Sequence, residues 1–223
     1  MEHAAAKRDP GTGQRDQRGQ RLGSLIGGVF GLIYVEINAG ALTAPAAAAL
    51  RIAGAVVFAG LVALLAAGRG PGAASAETEA EAEAATRGGF GPRYWLIVAA
   101  EVAAFIAGSA LLNGPLDRPR AVVAWVSVVV GVHFFALAAL WRVSLFRWLG
   151  AAITLCGLVG LAAAFLDASD AVIASLGGVL PGALLLAAGY AGAIAALRRS
   201  GRPEPGPVGP TGHPGRLGRG FTS

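Results

Sequence analysis

Six apolar runs, each about as long as a helix that crosses a lipid bilayer, occupy most of this sequence. A transmembrane helix needs roughly 20 apolar residues, because each residue advances about 1.5 Å through about 30 Å of hydrocarbon. Charged residues, prolines or glycine clusters bound the runs, which cover residues 22–42, 46–67, 94–113, 121–141, 148–166 and 171–197. The sequence therefore predicts an all-α, polytopic transmembrane helical bundle with six spans.

The composition agrees with a lipid environment and excludes several classes of protein. Hydrophobic residues make up 55% of the 223 residues and charged residues only 14%, which is too apolar for a water-soluble domain of this size. The net charge of +5 does not indicate nucleic-acid binding, because the arginines stand beside apolar runs, where membrane topology explains them. The single cysteine, Cys156, lies in an apolar run, so we expect no disulfide framework, metal site or cofactor. The predicted partner is the lipid bilayer.

The distribution of Lys and Arg predicts the side of the membrane that each connection faces, because short basic loops stay in the cytoplasm. With the N-terminus inside, 15 of the 18 basic residues fall on the cytoplasmic side. An odd number of spans would carry the basic C-terminal segment outward, so the pattern favours six spans with both termini in the cytoplasm. We expect a multi-pass protein of the plasma membrane, of the kind found in the bacterial inner membrane.

The first run has an alternative interpretation as a cleaved signal peptide. A basic segment precedes it, and Ala39, Gly40 and Ala41 resemble a small-residue cleavage site. The basic leader, residues 1–21, is unusually long for a signal, and Glu36 and Asn38 stand awkwardly close to such a site. Under this interpretation five spans would remain with the same orientations.

Polar, low-complexity segments flank and interrupt the predicted transmembrane domain, which covers residues 22–198. Residues 1–21 are expected to form a disordered, basic, cytoplasmic N-terminus. Residues 68–93 are expected to form a low-complexity cytoplasmic loop. Its four glutamates stand at positions 77, 79, 81 and 83, a spacing that places them on no single helical face. Residues 199–223 are rich in proline, glycine and arginine and are expected to form a disordered cytoplasmic tail.

Small residues at helical spacing predict close contacts between helices, because lipid tails give helices no hydrophobic reason to associate. One such face lies in the first span and another in the fifth. Whether they meet other helices of this chain, a second copy of it or another membrane protein stays open. The faces consist of Gly23, Gly27 and Gly31 in the first span, and of Gly150, Thr154, Gly157, Gly160 and Ala164 in the fifth.

Two pairs of ionisable residues fall inside the predicted spans, where an unpaired charge costs several kcal/mol. Glu36 and Arg51 both lie about 8 to 9 Å below the outer face, estimated from the helical rise. They are a candidate structural pair across the first hairpin, and Asn38 is a candidate hydrogen-bonding neighbour. A functional alternative for these residues is an outward-facing polar pocket.

Glu101 and His133 form the candidate intramembrane polar site. They lie about 10 Å and about 12 Å from the cytoplasmic face on adjacent spans, so their side chains can meet. A carboxylate beside an imidazole in a medium of low dielectric constant can exchange a proton near neutral pH. The competing interpretation is a hydrogen bond that joins two helices.

The fourth span carries a short motif around His133. The segment Gly131-Val132-His133-Phe134-Phe135-Ala136-Leu137-Ala138 resembles a G-x-H-F-x-x-L-A motif of small uncharacterised bacterial membrane proteins, many of which have proline where Ala136 stands. The resemblance implies no activity, but it draws attention to His133.

The third span has a resemblance of its own. Residues 95–112, with Ala100-Glu101-Val102, are similar to the first helix of small multidrug-resistance transporters, which carries one membrane-embedded glutamate. That family has four helices, a pattern that the remaining spans do not follow. The similarity is an analogy for a proton-coupled role of Glu101.

Two functional hypotheses follow, and neither is enzymatic. The first is a non-enzymatic membrane component, such as an accessory or scaffold protein, in which the polar pairs are structural. The second is a small proton-coupled transporter that uses Glu101 and His133, with Pro181 allowing the last helix to flex. No spacing resembles a hydrolase elbow or a metal-ligand set, so we assign no catalytic residue, and an intramembrane enzyme is the least favoured class.

Overall fold

The computed structural model describes residues 10–68, 92–141 and 143–200, and every regular element in these ranges is helical. Six segments of this part of the chain are long and apolar enough to cross a membrane, which confirms the predicted all-α, six-span architecture. The sixth span, Asp170–Arg198, combines two helices and a π-helical turn. In chain order the elements are α1 (Pro10–Ala39), α2 (Ala44–Ala67), α3 (Pro92–Asn113), a 3-10 turn (Pro119–Ala121), α4 (Val122–Trp141), α5 (Ser144–Phe165), α6 (Asp170–Ala174), the π turn (Ser175–Val179) and α7 (Leu180–Ser200).

The observed helices agree with the predicted runs to within a few residues, except at the start of α1. This helix begins at Pro10, so residues 10–21, which the sequence predicts to be disordered, are helical. Proline suits a first helical position because its missing N–H has no helical partner there, and glutamine and arginine are good helix formers. The remaining predictions of disorder and low complexity, for residues 1–9, 69–91 and 201–223, lie outside the described residues.

The first and last spans form one of the two closely packed pairs of the bundle. A Cβ atom added to Gly31 would lie 2.7 Å from the carbonyl oxygen of Gly182, and one added to Gly182 would lie 2.8 Å from the carbonyl oxygen of Gly31. The two backbones are therefore in direct contact, which only glycine permits. Gly27 continues this face toward Leu185, whereas Gly23 has no neighbour within 4 Å.

The second close pair is α4 with α5. A Cβ atom on Gly150 would lie 2.8 Å from the carbonyl oxygen of Gly131, and one on Gly157 would lie 2.8 Å from that of Ala124. Gly160 brings α5 against the sixth span, because a Cβ atom added to Gly160 would lie 3.1 Å from the Cα atom of Gly177. The sixth span therefore belongs to the first pair and, through its π turn, also contacts the second.

The two ends of the bundle differ in how their charges are arranged. At the terminal end, where the chain enters the first span and leaves the last, Arg21 donates a hydrogen bond to the carbonyl of Gly68 at the end of α2. The opposite end carries the α3–α4 and α5–α6 connections, which are joined by ion pairs. Arg118 binds Asp167, and Arg120 lies 3.3 Å from both Asp167 and Asp170.

Candidate functional site

Glu101 and His133 meet at the seam between α3 and α4. The Oε2 atom of Glu101 lies 2.9 Å from the Nδ1 atom of His133. Neither side chain is fully enclosed, since 27% of the glutamate and 15% of the histidine side chain are exposed. The depths estimated from the sequence therefore paired two residues that are in contact.

The contact is close but poorly aligned. Its distance is that of a hydrogen bond, yet Nδ1 of His133 is buried and has no partner in a suitable direction within the described chain. A hydrogen bond weakens steeply when donor and acceptor are out of line. The attraction between opposite charges depends on their distance and on the dielectric constant, but not on this alignment. The pair is therefore best regarded as an electrostatic contact that is strongest when the imidazole is protonated and the carboxylate is charged.

Trp125 closes the same seam nearer the opposite end of the bundle. Its Nε1 atom donates a hydrogen bond of 3.1 Å to the carbonyl oxygen of Ala104. Its ring lies directly on Gly108, where a Cβ atom would collide with the indole. Because Ala104 and Gly108 follow Glu101 on one helical face, the small side chains of this face leave room for the large ring.

Behind the seam, two hydroxyl groups lie in the interior of the bundle. The Tyr34 hydroxyl, from α1, is buried without a hydrogen-bond partner among the described residues. The Ser127 side chain of α4 lies near it. The ring of Tyr34 packs against a buried cluster formed by Leu149 and Ile153 on α5 and Leu185 on α7. The Tyr34 hydroxyl therefore lies in the interior of the bundle, close to α4.

Ser127 links α4 to the π turn of the sixth span. The side chain is fully buried, with 0% exposure, and Oγ donates a hydrogen bond of 2.5 Å to the carbonyl oxygen of Gly177. In an α-helix this carbonyl would accept from the residue four positions later, which is Pro181, and proline has no N–H to give. The serine therefore supplies a donor that the proline removes from the backbone.

Asn38 also serves the sixth span. Its side chain is buried and contacts Gly178, where a Cβ atom would collide with the amide group. Its Nδ2 atom donates a hydrogen bond of 2.8 Å to the carbonyl oxygen of Tyr34, one turn earlier in α1. Asn38 is therefore a packing residue between α1 and the π turn, and it does not contact the Glu36–Arg51 pair.

Glu36 and Arg51 approach each other across the first hairpin near the opposite end of the bundle. The Nε atom of Arg51 lies 3.6 Å from Oε2 of Glu36 and donates a hydrogen bond of 3.4 Å to the carbonyl oxygen of the same residue. The arginine side chain is 48% exposed and the glutamate side chain 38%. The geometry fits a contact that joins α1 to α2.

Three residues of this region carry no signature in the sequence that marks their roles. Tyr34 and Trp125 read as ordinary aromatic residues, and Ser127 as one of several serines in the spans. Pro181 does predict an unpaired carbonyl at Gly177, but nothing in the sequence selects the donor, because the donor comes from another helix.

Comparison with protein-family models, with curated proteins and with solved structures finds no match to this chain. Among the residues that the structure describes, no three His, Cys, Asp or Glu side chains gather in a group that could hold a metal ion. The function must therefore be argued from the contacts themselves.

Proposed function

We propose that the chain is a non-enzymatic, multi-pass membrane component in which the Glu101–His133 pair fastens α3 to the rest of the bundle. The observation that carries the proposal is the position of α3, which packs mainly against α4 and the 3-10 turn before it. Most of α3 is exposed to the surroundings of the bundle, including Leu96, Val102 and Ile106. This helix therefore depends on a single seam for its place.

Polar contacts suit such a seam. Apolar side chains gain nothing when they leave lipid for another helix, so hydrogen bonds, charge pairs and close packing must supply the attraction. The α3–α4 seam has the Glu101–His133 contact, the hydrogen bond from Trp125 and the close approach at Gly108. Each of these contacts joins the same two helices, which supports a structural role.

A double-mutant cycle tests this role. Glu101→Gln and His133→Gln should each destabilise the protein in detergent, and the double variant should lose less than the sum, with a coupling energy of about 0.5–1.5 kcal/mol. The unfolding free energy is measured in mixed micelles of increasing denaturing-detergent content. The matched control is the Glu36–Arg51 pair, with Glu36→Gln and Arg51→Gln, whose coupling should be smaller because its charged atoms lie 3.6 Å apart instead of 2.9 Å. A coupling near zero for Glu101 with His133 would exclude the fastening role.

The proposal includes a plasma-membrane location with both termini in the cytoplasm. It is supported by the charges at the two ends of the bundle. The connections described at the opposite end carry two arginines, Arg118 and Arg120, which form ion pairs with Asp167 and Asp170, and the end richer in Lys and Arg is the one expected in the cytoplasm. The terminal end carries arginines that form no ion pair with any acidic residue in the described ranges, namely Arg93, Arg147 and Arg198.

Proton-coupled transport is a second candidate, favoured by one specific observation. The Tyr34 hydroxyl is buried without a hydrogen-bond partner among the described residues and lies near Ser127, which donates a hydrogen bond to the π turn. Imidazole is the side chain that ordinarily changes charge between pH 5 and 8, and π turns are frequent at functional sites. A proton taken up at the seam could therefore alter the contacts of the sixth span.

Transport and fastening give different results in proteoliposomes. Solute-induced currents are recorded on supported membranes with a panel of organic cations and neutral solutes, at about pH 6 and about pH 8, on either side of the usual imidazole pKa. Transport predicts a pH-dependent current that Glu101→Gln abolishes and Glu36→Gln retains. Absence of any such current, or a current that Glu101→Gln leaves unchanged, would exclude Glu101 as the coupling residue.

A further inference from the structure

An open cleft lies between α4 and α5 at the terminal end of the bundle, away from the Glu101–His133 seam. It has a volume of about 490 Å³ and is lined by Phe135, Ala138, Ala139 and Arg147. Its walls therefore combine an aromatic ring and small apolar side chains with one cation. The cleft is open on one side, so a ligand in it would remain partly exposed to the surroundings of the bundle.

Arg147, the cation of this cleft, has no acidic ion-pair partner in the part of the chain that the structure describes. In contrast, Arg51, Arg118 and Arg120 are all paired. Arg147 stands in the first turn of α5, whose N-cap residue, Val143, makes no side-chain capping hydrogen bond. The guanidinium of Arg147 and the positive end of the helix dipole therefore both lie at this end of α5.

The position of the cleft along the bundle corresponds to the membrane interface. Arg147 is about 5 Å from the start of α5, estimated from the helical rise. The next residue, Trp148, is 76% exposed, and indole rings favour the headgroup level of a bilayer. The headgroups of the lipids around the protein would therefore lie at the depth of Arg147.

The apolar part of the cleft faces the hydrocarbon. Phe135 and Ala139 are exposed on α4, while Ala138 forms the buried floor. From Phe135 to Ala139, the α4 surface extends about 6 Å along the helix axis. This length suits the first few carbon atoms of an acyl chain below a headgroup held at Arg147.

We propose that this cleft binds one anionic phospholipid, with its phosphate at the guanidinium of Arg147 and the upper part of an acyl chain along Phe135 and Ala139. Guanidinium recognises phosphate through two parallel hydrogen bonds, so the arginine selects the headgroup. The apolar wall selects an amphiphile over free phosphate. The two parts of the cleft thus define the chemical class of the ligand.

The proposal is tested by lipid binding to the purified full-length protein in detergent. Phosphatidylglycerol and phosphatidylcholine with identical chains are titrated separately, and bound lipid is counted by native mass spectrometry. The wild type should retain phosphatidylglycerol in preference to phosphatidylcholine. Arg147→Gln should weaken phosphatidylglycerol binding about tenfold, the effect expected for loss of a charge-assisted contact, whereas Arg147→Lys should retain part of it.

Arg93→Gln is the matched control, because it removes an arginine from the same end of the bundle that does not line the cleft. Binding by Arg93→Gln should equal that of the wild type, and inorganic phosphate at equal concentration should not displace the lipid. Equal losses in Arg147→Gln and Arg93→Gln would overturn the site in favour of diffuse surface charge. Displacement by inorganic phosphate would identify a free-anion site instead, and equal binding of phosphatidylcholine would show that the headgroup is not recognised.

Discussion

At the scale of single residues, the contacts between helices depend on polar groups that complete each other. Pro181 cannot donate a backbone hydrogen bond to the carbonyl of Gly177, and Ser127 donates one instead. A buried carbonyl without a donor costs about 1–3 kcal/mol. The serine hydroxyl therefore offsets the cost of a proline in the middle of a span, and it does so from a different helix.

Ser127→Ala should destabilise the protein by about 1–2 kcal/mol, because it leaves the carbonyl of Gly177 without its donor. In a Pro181→Ala background the residue at position 181 regains an N–H, so the same serine substitution should cost less there. Thermal unfolding in detergent measures both effects. Ser109→Ala is the control, since the Ser109 hydroxyl has no hydrogen-bond partner in the described chain. Equal losses in both backgrounds would contradict the proposed compensation.

The candidate site could be predicted from the sequence only in part, for a reason that belongs to this scale. Depth along a helix follows from residue number, so Glu101 and His133 can be matched from the sequence alone. Rotation of a helix and the choice of its neighbours do not follow from residue number. Tyr34 therefore could not be placed beside Ser127, because α1 and α4 are distant in sequence and only packing brings them together.

At the scale of helices, the packing follows the glycine faces. The sequence pattern identifies the small residues of the first and fifth spans but leaves their partners open. Within the chain, Gly31 meets Gly182 of the sixth span and Gly150 meets Gly131 of α4. Gly131 is a single glycine in a valine-rich run, and Gly182 stands in a cluster with Gly177, Gly178 and Pro181 that indicates an interrupted helix, so neither position alone identifies its partner.

Gly31→Ala tests the closest of these contacts. The added Cβ atom would lie 2.7 Å from the carbonyl oxygen of Gly182, so α1 and α7 must separate, and we expect a loss of about 1–3 kcal/mol. Gly23→Ala is the matched control on the same helix, because its Cβ atom would meet nothing within 4 Å. The unfolding midpoint in detergent should fall for Gly31→Ala and stay within error for Gly23→Ala. Equal midpoints for the two variants would show that the backbones of α1 and α7 are not in direct contact.

At the scale of the whole molecule, the six-span architecture was predictable because the requirement for apolar length acts on each span separately. The start of α1 was not, since residues 10–21 are polar and helical propensity is a weaker signal than hydrophobicity. The arrangement of the spans, in which the sixth packs on α1 and also contacts α5, depends on contacts between distant parts of the chain. Local sequence patterns carry little information about such contacts.

The charge pattern of the two ends connects the fold to its orientation. Three arginines fall on the non-cytoplasmic side of the predicted topology. Two of them, Arg118 and Arg120, are paired with aspartates, and the third, Arg51, lies beside Glu36. The proposed orientation itself rests on the number of Lys and Arg residues on each side, because acidic neighbours contribute little to the positive-inside rule. The proposed lipid site at Arg147 would then face the inner leaflet, where anionic lipids attract basic residues.

Cysteine labelling of the two ends is the most direct test of the six-span topology with both termini in the cytoplasm. In a Cys156→Ala background, single cysteines replace Thr43 and Leu116 at the opposite end, and Arg93 and Ser144 at the terminal end. Intact cells are treated with a membrane-impermeant maleimide. This topology predicts labelling at positions 43 and 116 without permeabilisation, and at positions 93 and 144 only after it. Labelling of positions 93 and 144 in intact cells, or unlike behaviour of the two positions at either end, would contradict it.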